Sequence, residues 1–210
     1  MKNQVHIFDL DRTFFKKNVS FSFYFYLLRR RCSLVRTLPL AVWAFCKFSL
    51  GLFNIQAFHG VIFSSVLKGW KRTDLEALAD QFLTRYPKMV CPALLQILQK
   101  AQAGGHKTYL LSSSPEFLVS RIAAIFSFST SAGTTYSVDK EDRLCEISLI
   151  ITGSKKQEIA NRWTQDPSPV VAYSDSIEDV KLLEWVGHPV VVRPDRALKK
   201  HALARHWTIL

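Results

Sequence analysis

Two carboxylates stand two residues apart near the start of the chain, at Asp9 and Asp11, directly after an apolar run at 5–8. A carboxylate can attack phosphorus, and a second one nearby can donate a proton to the leaving oxygen. Because two anions would repel a phosphate dianion, a cation must bridge them, and Mg²⁺ prefers hard oxygen ligands together with substrate phosphates. The pair therefore predicts phosphoryl chemistry that depends on Mg²⁺.

Side chains that could complete such a site stand much later in the chain. Asp175 and Asp179 offer further carboxylates. Lys155 and Lys156 offer a cation that would neutralise phosphoryl oxygens. One of these two lysines is expected to lie exposed at a helix start, and the other is a candidate for the site.

Three serines in a row, at 112–114, follow a second apolar run. A serine hydroxyl can hold a phosphoryl oxygen, and it can equally cap the N-terminus of a helix. We expect Ser112 to face the phosphate and either Ser113 or Ser114 to cap the next helix.

Strands alternate with helices through most of the chain, which predicts an α/β fold with a mostly parallel sheet and helices on both faces. In such a sheet, ligands bind outside the carboxyl ends of the strands, and the polar residues above cluster there. The predicted strands span 5–8, 108–111, 170–173 and 189–192, and a hairpin joins 134–138 to 144–151. The predicted helices span 21–31, 38–50, 55–66, 72–85, 92–104, 115–126, 155–163, 177–186 and 194–205.

These motifs together resemble the haloacid dehalogenase superfamily, because all four of its motifs occur in order. The resemblance implies a Rossmann-like core sheet with a helical cap inserted after the first strand. Within the superfamily, the chain is similar to the subfamily of the phosphoserine phosphatases and phosphatidylglycerophosphatase C. The residues that match the four motifs are Asp9, Asp11 and Thr13, then Ser112, then Lys156 with Lys155 as its rival, and finally Asp175 and Asp179.

The resemblance implies a catalytic role for three of these side chains. Asp9 would be the nucleophile that forms an aspartyl-phosphate. Asp11 would act first as the general acid and then as the base that activates water. Lys156 would hold the phosphoryl oxygens, and we prefer it to Lys155 because the residues after it align better with the family's lysine helix.

The resemblance also implies the binding residues. Asp9, Asp175 and the backbone carbonyl of Asp11 would hold Mg²⁺, and Asp179 would orient the lysine or a metal-bound water. The candidates for substrate contact are Thr13, which would also fix the loop, Ser112, Ser113 and Asn18.

The chain departs from the family pattern at three positions. Arg12 stands where Gly or Ser is usual, and Ser174 stands where Gly is usual. Asn18 stands where phosphoserine phosphatases carry a Glu that suits the substrate ammonium group. This neutral amide weakens phosphoserine as the substrate.

The segment between the first two motifs differs in composition from the rest of the chain. The net charge is +11, and no Asp or Glu occurs from 12 to 73, where eleven lysines and arginines stand among most of the aromatic residues. We therefore predict two domains, a catalytic core at 1–15 and 89–210 and a basic, aromatic helical cap at 16–88.

The cap has two main interpretations. It could be an ordinary lid whose aromatic residues pack inward, or it could contact an anionic membrane surface. The apolar stretch at 38–53 is interrupted by Lys47, so an interfacial or re-entrant helix is favoured over a crossing one. Four arginines just before it favour a cytoplasmic, anionic leaflet, namely Arg29, Arg30, Arg31 and Arg36. No nucleic acid is expected as a partner, since the apolar runs do not resemble a solvated basic groove.

The overall apolar content of 48% is ordinary for a globular protein with a buried core. No signal peptide is visible, and four scattered cysteines without metal-ligand spacing are typical of reduced thiols, so a cytoplasmic location is predicted, with peripheral membrane contact as an option. The predicted partner is a phosphorylated small molecule or a lipid phosphate. The alternatives are a phosphoserine phosphatase and a non-catalytic binding protein that keeps the fold.

Overall fold

A computed structural model of the protein describes residues 4–30, 38–84 and 89–210. Its centre is a seven-stranded sheet with the strand order β4-β3-β2-β1-β5-β6-β7. All neighbouring strands are parallel except β3 and β4, which form an antiparallel hairpin. The strands are β1 Val5–Phe8, β2 Lys107–Pro115, β3 Thr130–Val138, β4 Leu144–Leu149, β5 Val170–Ser174, β6 His188–Val191 and β7 Thr208–Ile209.

Helices connect the parallel strands and also form the segment between β1 and β2. The helices are α1 Val19–Arg30, α2 Leu38–Ser49, α3 Ile55–Ile62, α4 Arg72–Leu83, α5 Pro92–Ala103, α6 Glu116–Ile125, α7 Gly153–Trp163, α8 Val180–Trp185 and α9 Arg196–Ala204. None of the described helices combines the length and the hydropathy that crossing a membrane requires. The predicted α/β fold class is confirmed.

The central strand shows how the sequence builds the two sides of the sheet. Side chains alternate across a strand, so Ile7 and Phe8 point to opposite faces. Ile7 belongs to a core that it shares with β5 and α8, whereas Phe8 belongs to a larger core that continues into α1, α3 and α4. The larger core joins the segment after β1 firmly to the sheet.

The chain leaves the core and returns to it at adjacent points. Phe15 forms an isolated bridge with Val90, and the Lys16 N–H donates to the Met89 carbonyl over 2.8 Å. These contacts lie at the predicted boundaries of the cap at 15 and 89. We therefore keep 16–88 as the proposed cap and 1–15 with 89–210 as the proposed core.

The structure differs from the predicted elements at several ends. Strand β3 begins at Thr130, because its first half pairs with β2 before its second half pairs with β4. The short strand β7 was not predicted, since two residues are too few to show a pattern. The predicted helix ends at 31 and 85 lie outside the described residues.

Candidate active site

The predicted site residues follow three neighbouring strands. Strand β1 lies between β2 and β5 and runs parallel to both, so the carboxyl ends of these strands meet at one edge. Asp9 follows β1, Ser112 lies in the last part of β2, and Asp175 follows β5. All three line the same cavity, together with Lys156 and Asp179.

Lys156 joins two of the carboxylates. Its Nζ donates to Asp9 Oδ1 over 2.6 Å and to Asp179 Oδ2 over 2.8 Å, and all three side chains are buried. The Ser174 hydroxyl donates to the same Asp179 oxygen over 2.6 Å. Lys155 instead pairs with the exposed Glu158, away from this cluster. The geometry brings Lys156, and not Lys155, to the other predicted site residues.

A glycine allows this arrangement. Gly153 begins α7, and a Cβ added to it would lie 1.5 Å from the Glu178 carbonyl oxygen. Any side chain at 153 would therefore push α7 away from the loop that carries Asp179. Because Lys156 stands in the first turn of α7, this close contact sets its distance from Asp179.

Asp175 is held by the loop that follows β1. Thr13 Oγ1 donates to Asp175 Oδ1 over 3.0 Å, and Arg12 Nε lies 3.0 Å from Asp175 Oδ2. Arg12 has a φ of 58°, in the left-handed region that glycine favours. The Arg193 guanidinium donates to the backbone carbonyls of Arg12 and Thr13 and so holds this turn.

The cluster has more negative than positive groups. Asp9, Asp175 and Asp179 share two cationic partners, Lys156 and Arg12. Burial, opposed by Lys156 and reinforced by the neighbouring carboxylates, raises the pKa of Asp9 to about 7. Burial also raises the pKa of Asp175, with Arg12 opposing the rise. A further cation at this edge would lower both pKa values.

The charge of Lys156 is secured by the same contacts. Burial alone would lower the pKa of this ammonium group, but Asp179 and Asp9 together raise it above its ordinary value. Lys156 therefore stays protonated at neutral pH and remains available to pair with anionic oxygens.

Asp11 points to a different part of the site. Its carboxylate accepts hydrogen bonds from the Val19 and Ser20 backbone N–H groups at the start of α1 over 2.6 and 3.3 Å. It also accepts from the Ser20 and Ser114 hydroxyls over 2.8 and 2.6 Å. Burial raises the pKa of Asp11, and the hydrogen bonds from Ser114 and Ser20 oppose the rise. Asp11 thus connects the core directly to the first helix of the cap.

The serine run is arranged differently from the prediction. The prediction that Ser113 or Ser114 caps α6 is wrong, because Pro115 holds the cap position and no side chain bonds there. Ser112 is buried, lines the cavity, and accepts a hydrogen bond from the Ser114 N–H over 3.1 Å. Ser113 lines the cavity as well, and its carbonyl accepts from the Thr134 hydroxyl.

Asn18 has a structural contact in addition to its place in the cavity. Its Oδ1 accepts from the Phe21 N–H over 2.9 Å, which caps the N-terminus of α1. Since Oδ1 is engaged, only the Nδ2 side of the amide is available to a ligand.

The residues present fit a magnesium ion. Asp9 and Asp175 supply buried carboxylates with a surplus of negative charge, which suits a small, hard dication. The Asp11 carboxylate is engaged by α1 and β2, so its contribution would come from the backbone carbonyl. Within the described residues, no group of three or more metal-binding side chains is assembled. Two carboxylates and one carbonyl leave room for waters and substrate oxygens, as Mg²⁺ sites commonly do.

The cavity above these groups has a volume of about 740 Å³. Its floor is the polar edge of the sheet, and its opposite wall comes from α1, α2, α3 and the loop before α3. This wall is largely aromatic, formed by Phe21, Tyr24, Phe45, Phe53 and Phe58.

Comparison with known proteins identifies the family. The model of the haloacid dehalogenase-like hydrolases matches residues 7–184. The chain belongs to this family. The match spans the four motifs from Asp9 to Asp179, so the predicted family is confirmed, and at this level the prediction of a phosphatase is confirmed as well.

Relatives of the chain carry phosphatase names. It is 24% identical over 221 residues to a histidinol-phosphatase from Neisseria meningitidis, covering 100% of this chain and 99% of the relative. It is 27% identical over 213 residues to a probable phosphatase from Mycobacterium tuberculosis, covering 97% of this chain and 73% of the relative.

Solved structures share the fold. A protein of unknown function from Bordetella pertussis superposes with a TM-score of 0.83 at 18% identity, covering 100% of this chain and 99% of that one. A probable phosphoserine phosphatase from Vibrio cholerae superposes with a TM-score of 0.71 at 14% identity, covering 99% of this chain and 60% of that one.

Sequence reasoning missed several contacts of the site. Ser20 and Ser114 bind Asp11, Ser174 binds Asp179, and Arg193 holds the turn after β1. Ser174 directly precedes the motif residue Asp175, so its position in the sequence could have marked it as part of the site. Arg193 stands just after the strand that follows this motif, which is a weaker indication of the same kind. Ser20 lies inside a helix of the cap, where no local pattern marks it.

Proposed function

We propose that the protein is a Mg²⁺-dependent phosphomonoester hydrolase that acts through an aspartyl-phosphate on Asp9. The observation that carries the proposal is the position of Asp9, buried beside Lys156 and facing the same cavity as Asp11. Its proposed substrate is a small phosphorylated metabolite or a phospholipid head group such as phosphatidylglycerophosphate.

In the first step, a carboxylate oxygen of Asp9 attacks phosphorus and the bond to the leaving oxygen breaks. Asp11 gives its proton to that oxygen, and its raised pKa favours the protonated state that this transfer needs. Lys156, with Ser112 and Ser113, would hold the phosphoryl oxygens. Mg²⁺, when bound by Asp9, Asp175 and the Asp11 carbonyl, would offset the charge of the phosphate.

In the second step, water attacks the phosphorus of the aspartyl-phosphate, and Asp11 takes its proton as a base. The bond between phosphorus and Asp9 breaks, so inorganic phosphate leaves and both carboxylates return to their starting states. Asp179 and Ser174 keep Lys156 in position throughout, and Thr13 keeps Asp175 in position.

The proposal is tested with the Asp9→Asn variant. Because an amide is a poor nucleophile at phosphorus, turnover should fall at least about ten-thousandfold, and no acid-stable phosphate should be incorporated into the protein. Circular dichroism would verify the fold, and Glu178→Gln, which changes an exposed carboxylate that lines the same cavity, serves as the matched control. Wild-type turnover by Asp9→Asn would contradict the mechanism.

The esters to be tested for turnover follow from the alternative functions considered for the protein. They should include histidinol phosphate, because a relative is named for it, together with O-phosphoserine, phosphatidylglycerophosphate and a simple aryl phosphate. A non-catalytic protein would turn over none of them with or without Mg²⁺. Activity on O-phosphoserine above all others would make the chain a phosphoserine phosphatase.

A second proposal concerns peripheral contact of the cap with an anionic membrane. Large apolar side chains are exposed on α2 and just after it, namely Leu40 at 45%, Trp43 at 47%, Leu50 at 72% and Leu52 at 62%. Lys47 lies 5.9 Å above the Trp43 ring, and no acidic residue occurs from 12 to 73. An apolar surface with cationic neighbours fits an anionic lipid interface.

Vesicle co-sedimentation tests this contact. The protein should sediment with anionic vesicles and not with neutral ones. Replacing Arg29, Arg30 and Arg31 by Gln should weaken binding by about 3 kcal/mol, on the order of a hundredfold; Arg31 lies outside the described residues. A protein that stays in the supernatant at low salt would contradict the membrane proposal and leave the hydrolase proposal unaffected.

A further inference from the structure

The wall of the cavity opposite Asp9 carries no charged side chain among the described cap residues. It consists of aromatic and aliphatic residues, two asparagines, one serine, one glycine and one histidine. The charged residues that line the cavity all come from the core side, including Glu178 and Asp195 near its rim. The part of the cavity that would receive the leaving group is therefore largely aromatic and, among the described residues, carries no charge.

Sequence composition excludes a carboxylate on this wall altogether. No Asp or Glu occurs from 12 to 73, so α1, α2, α3 and the loops between them cannot offer an acidic side chain to an ammonium group. The acidic residues of α4 are directed elsewhere, since Glu76 and Asp80 pair with Arg121 of α6. A cationic leaving group would lose its hydration here without gaining an ionic partner from the cap.

The aromatic rings of the wall are packed against one another. The Phe21 ring lies 4.3 Å from the Phe45 ring and 5.4 Å from the Phe58 ring, measured between centroids. Phe53, on the loop before α3, packs edge-on against Trp43 at 5.1 Å. Mutual packing of this kind leaves a rigid apolar surface, which favours flat or apolar ligands.

One polar side chain on this wall, His59, lies at the cavity although it is almost fully buried. It is 5% exposed, lines the cavity, and its ring packs edge-on against Phe58 at 5.9 Å between centroids. Burial lowers the pKa of His59 to about 4, so the ring is neutral at pH 7. A neutral imidazole has one ring nitrogen that donates and one that accepts, so His59 can offer either kind of hydrogen bond to a ligand in the cavity.

We propose that the cap selects phosphomonoesters whose leaving group is uncharged and apolar or aromatic, with His59 donating or accepting one hydrogen bond to it. This inference rests on the proposed hydrolase function and narrows its substrates: it disfavours phosphatidylglycerophosphate, whose leaving group keeps an anionic phosphodiester. The same chemistry occurs in a water-soluble aryl phosphate and in a diacylglycerol phosphate, so both belong in the test.

The first experiment compares kcat/KM for four esters with Mg²⁺ present. Phenyl phosphate or dioctanoyl phosphatidate should exceed O-phosphoserine and histidinol phosphate by at least about tenfold, because the latter two carry an ammonium group. The ratio of kcat/KM for phenyl phosphate to that for dioctanoyl phosphatidate shows whether the preferred ester is water-soluble or a lipid. A preference for either ammonium ester would overturn the inference and leave the hydrolase function intact.

The second experiment changes the wall. Phe45→Ala should raise the KM for phenyl phosphate roughly fivefold with little change in kcat, because a ring that contacts the leaving group is lost. Phe25→Ala is the matched control, since this ring lies on the exposed side of α1. Equal KM values for both variants would overturn the inference.

His59→Leu separates a binding role from a structural one. It should raise the KM several-fold for an ester with a hydroxyl-bearing leaving group while the melting temperature stays the same or rises. A lower melting temperature with an unchanged KM would show that His59 is structural, and would overturn its assignment.

Binding to Asp9→Asn protein keeps the inference testable without turnover. Calorimetry with phenylphosphonate should show binding that Phe45→Ala weakens and Phe25→Ala does not. If no ester is turned over but this pattern holds, the hydrolase proposal fails and the selectivity of the wall is supported. If phenylphosphonate binds no more tightly than inorganic phosphate, the wall makes no contribution and the inference is overturned.

Discussion

The two sides of the cavity differ in the contacts that hold their side chains in place. On the core side, buried carboxylates and a lysine are connected by short hydrogen bonds, as between Lys156 and Asp9 at 2.6 Å. On the cap side, aromatic rings pack on each other, and the described wall carries no charge. In the proposed function, the core side would carry out phosphoryl transfer, and the cap side would select the leaving group.

The contrast has a physical consequence for substitutions. In the proposed function, charged groups on the core side would act on every substrate alike, because every phosphomonoester carries the same phosphate. Rings on the cap side would contact only the leaving group, so their effect would depend on the ester. Core substitutions should therefore lower kcat for all esters, whereas cap substitutions should raise the KM for some.

The largest effect in this comparison should come from Asp11→Asn. In the proposed mechanism one residue serves as acid and then as base, so kcat should fall by about a hundredfold to ten-thousandfold for phenyl phosphate and glycerol 3-phosphate equally. Rapid-quench measurements should show that formation and hydrolysis of the phosphoenzyme are both slower. A fall in kcat for only one of the two esters would contradict the proposed division of roles between core and cap.

Lys156→Ala should lower kcat by about a hundredfold or more, since the proposed mechanism would lose a buried donor to the phosphoryl oxygens. Lys155→Ala should have little effect, because Lys155 pairs with the exposed Glu158. Steady-state rates of the two variants, measured side by side, give the ranking. A larger loss of rate in Lys155→Ala than in Lys156→Ala would assign the catalytic role to Lys155.

The carboxylate cluster should also affect stability. Asp9 has a pKa of about 7 in the folded protein and about 4 when unfolded. Between these values the folded chain binds more protons, so its free energy of unfolding falls as the pH rises from 4 to 7. Denaturation of metal-free protein should show this fall in the wild type and a shallower one in Asp9→Asn. Parallel pH profiles would contradict the raised pKa of Asp9.

Arg12→Gly should have the smallest effect. Arg12 pairs with Asp175 but is 60% exposed, and an exposed pair contributes up to about 1 kcal/mol. Removing it should tighten Mg²⁺ binding by at most about fivefold, measured by calorimetry, because a competing cation leaves Asp175. Arg193→Gln is the control that loosens the turn without removing this ion pair. Weaker Mg²⁺ binding by Arg12→Gly would show that Arg12 assists the metal instead.

Much of the fold followed from local patterns. The run Val5–Phe8 is a strand as predicted, because a short, continuous apolar run that ends at polar residues is typical of a buried strand in an α/β protein. The end of β2 was harder to predict, since Ser112 and Ser113 continue the strand where polar residues suggested its end. The roles of Asp9, Asp11, Lys156 and Asp175 remain predictions.

The sequence by itself determined which residues could do the chemistry and at which strand ends they stand, because side-chain type and strand alternation are local properties. Only the tertiary structure decided which groups meet. It paired Lys156 with Asp9 and Asp179, and it placed Asp11 against the start of α1. These contacts depend on how α7 and α1 pack against the sheet, and packing between separate elements leaves no mark in any local pattern.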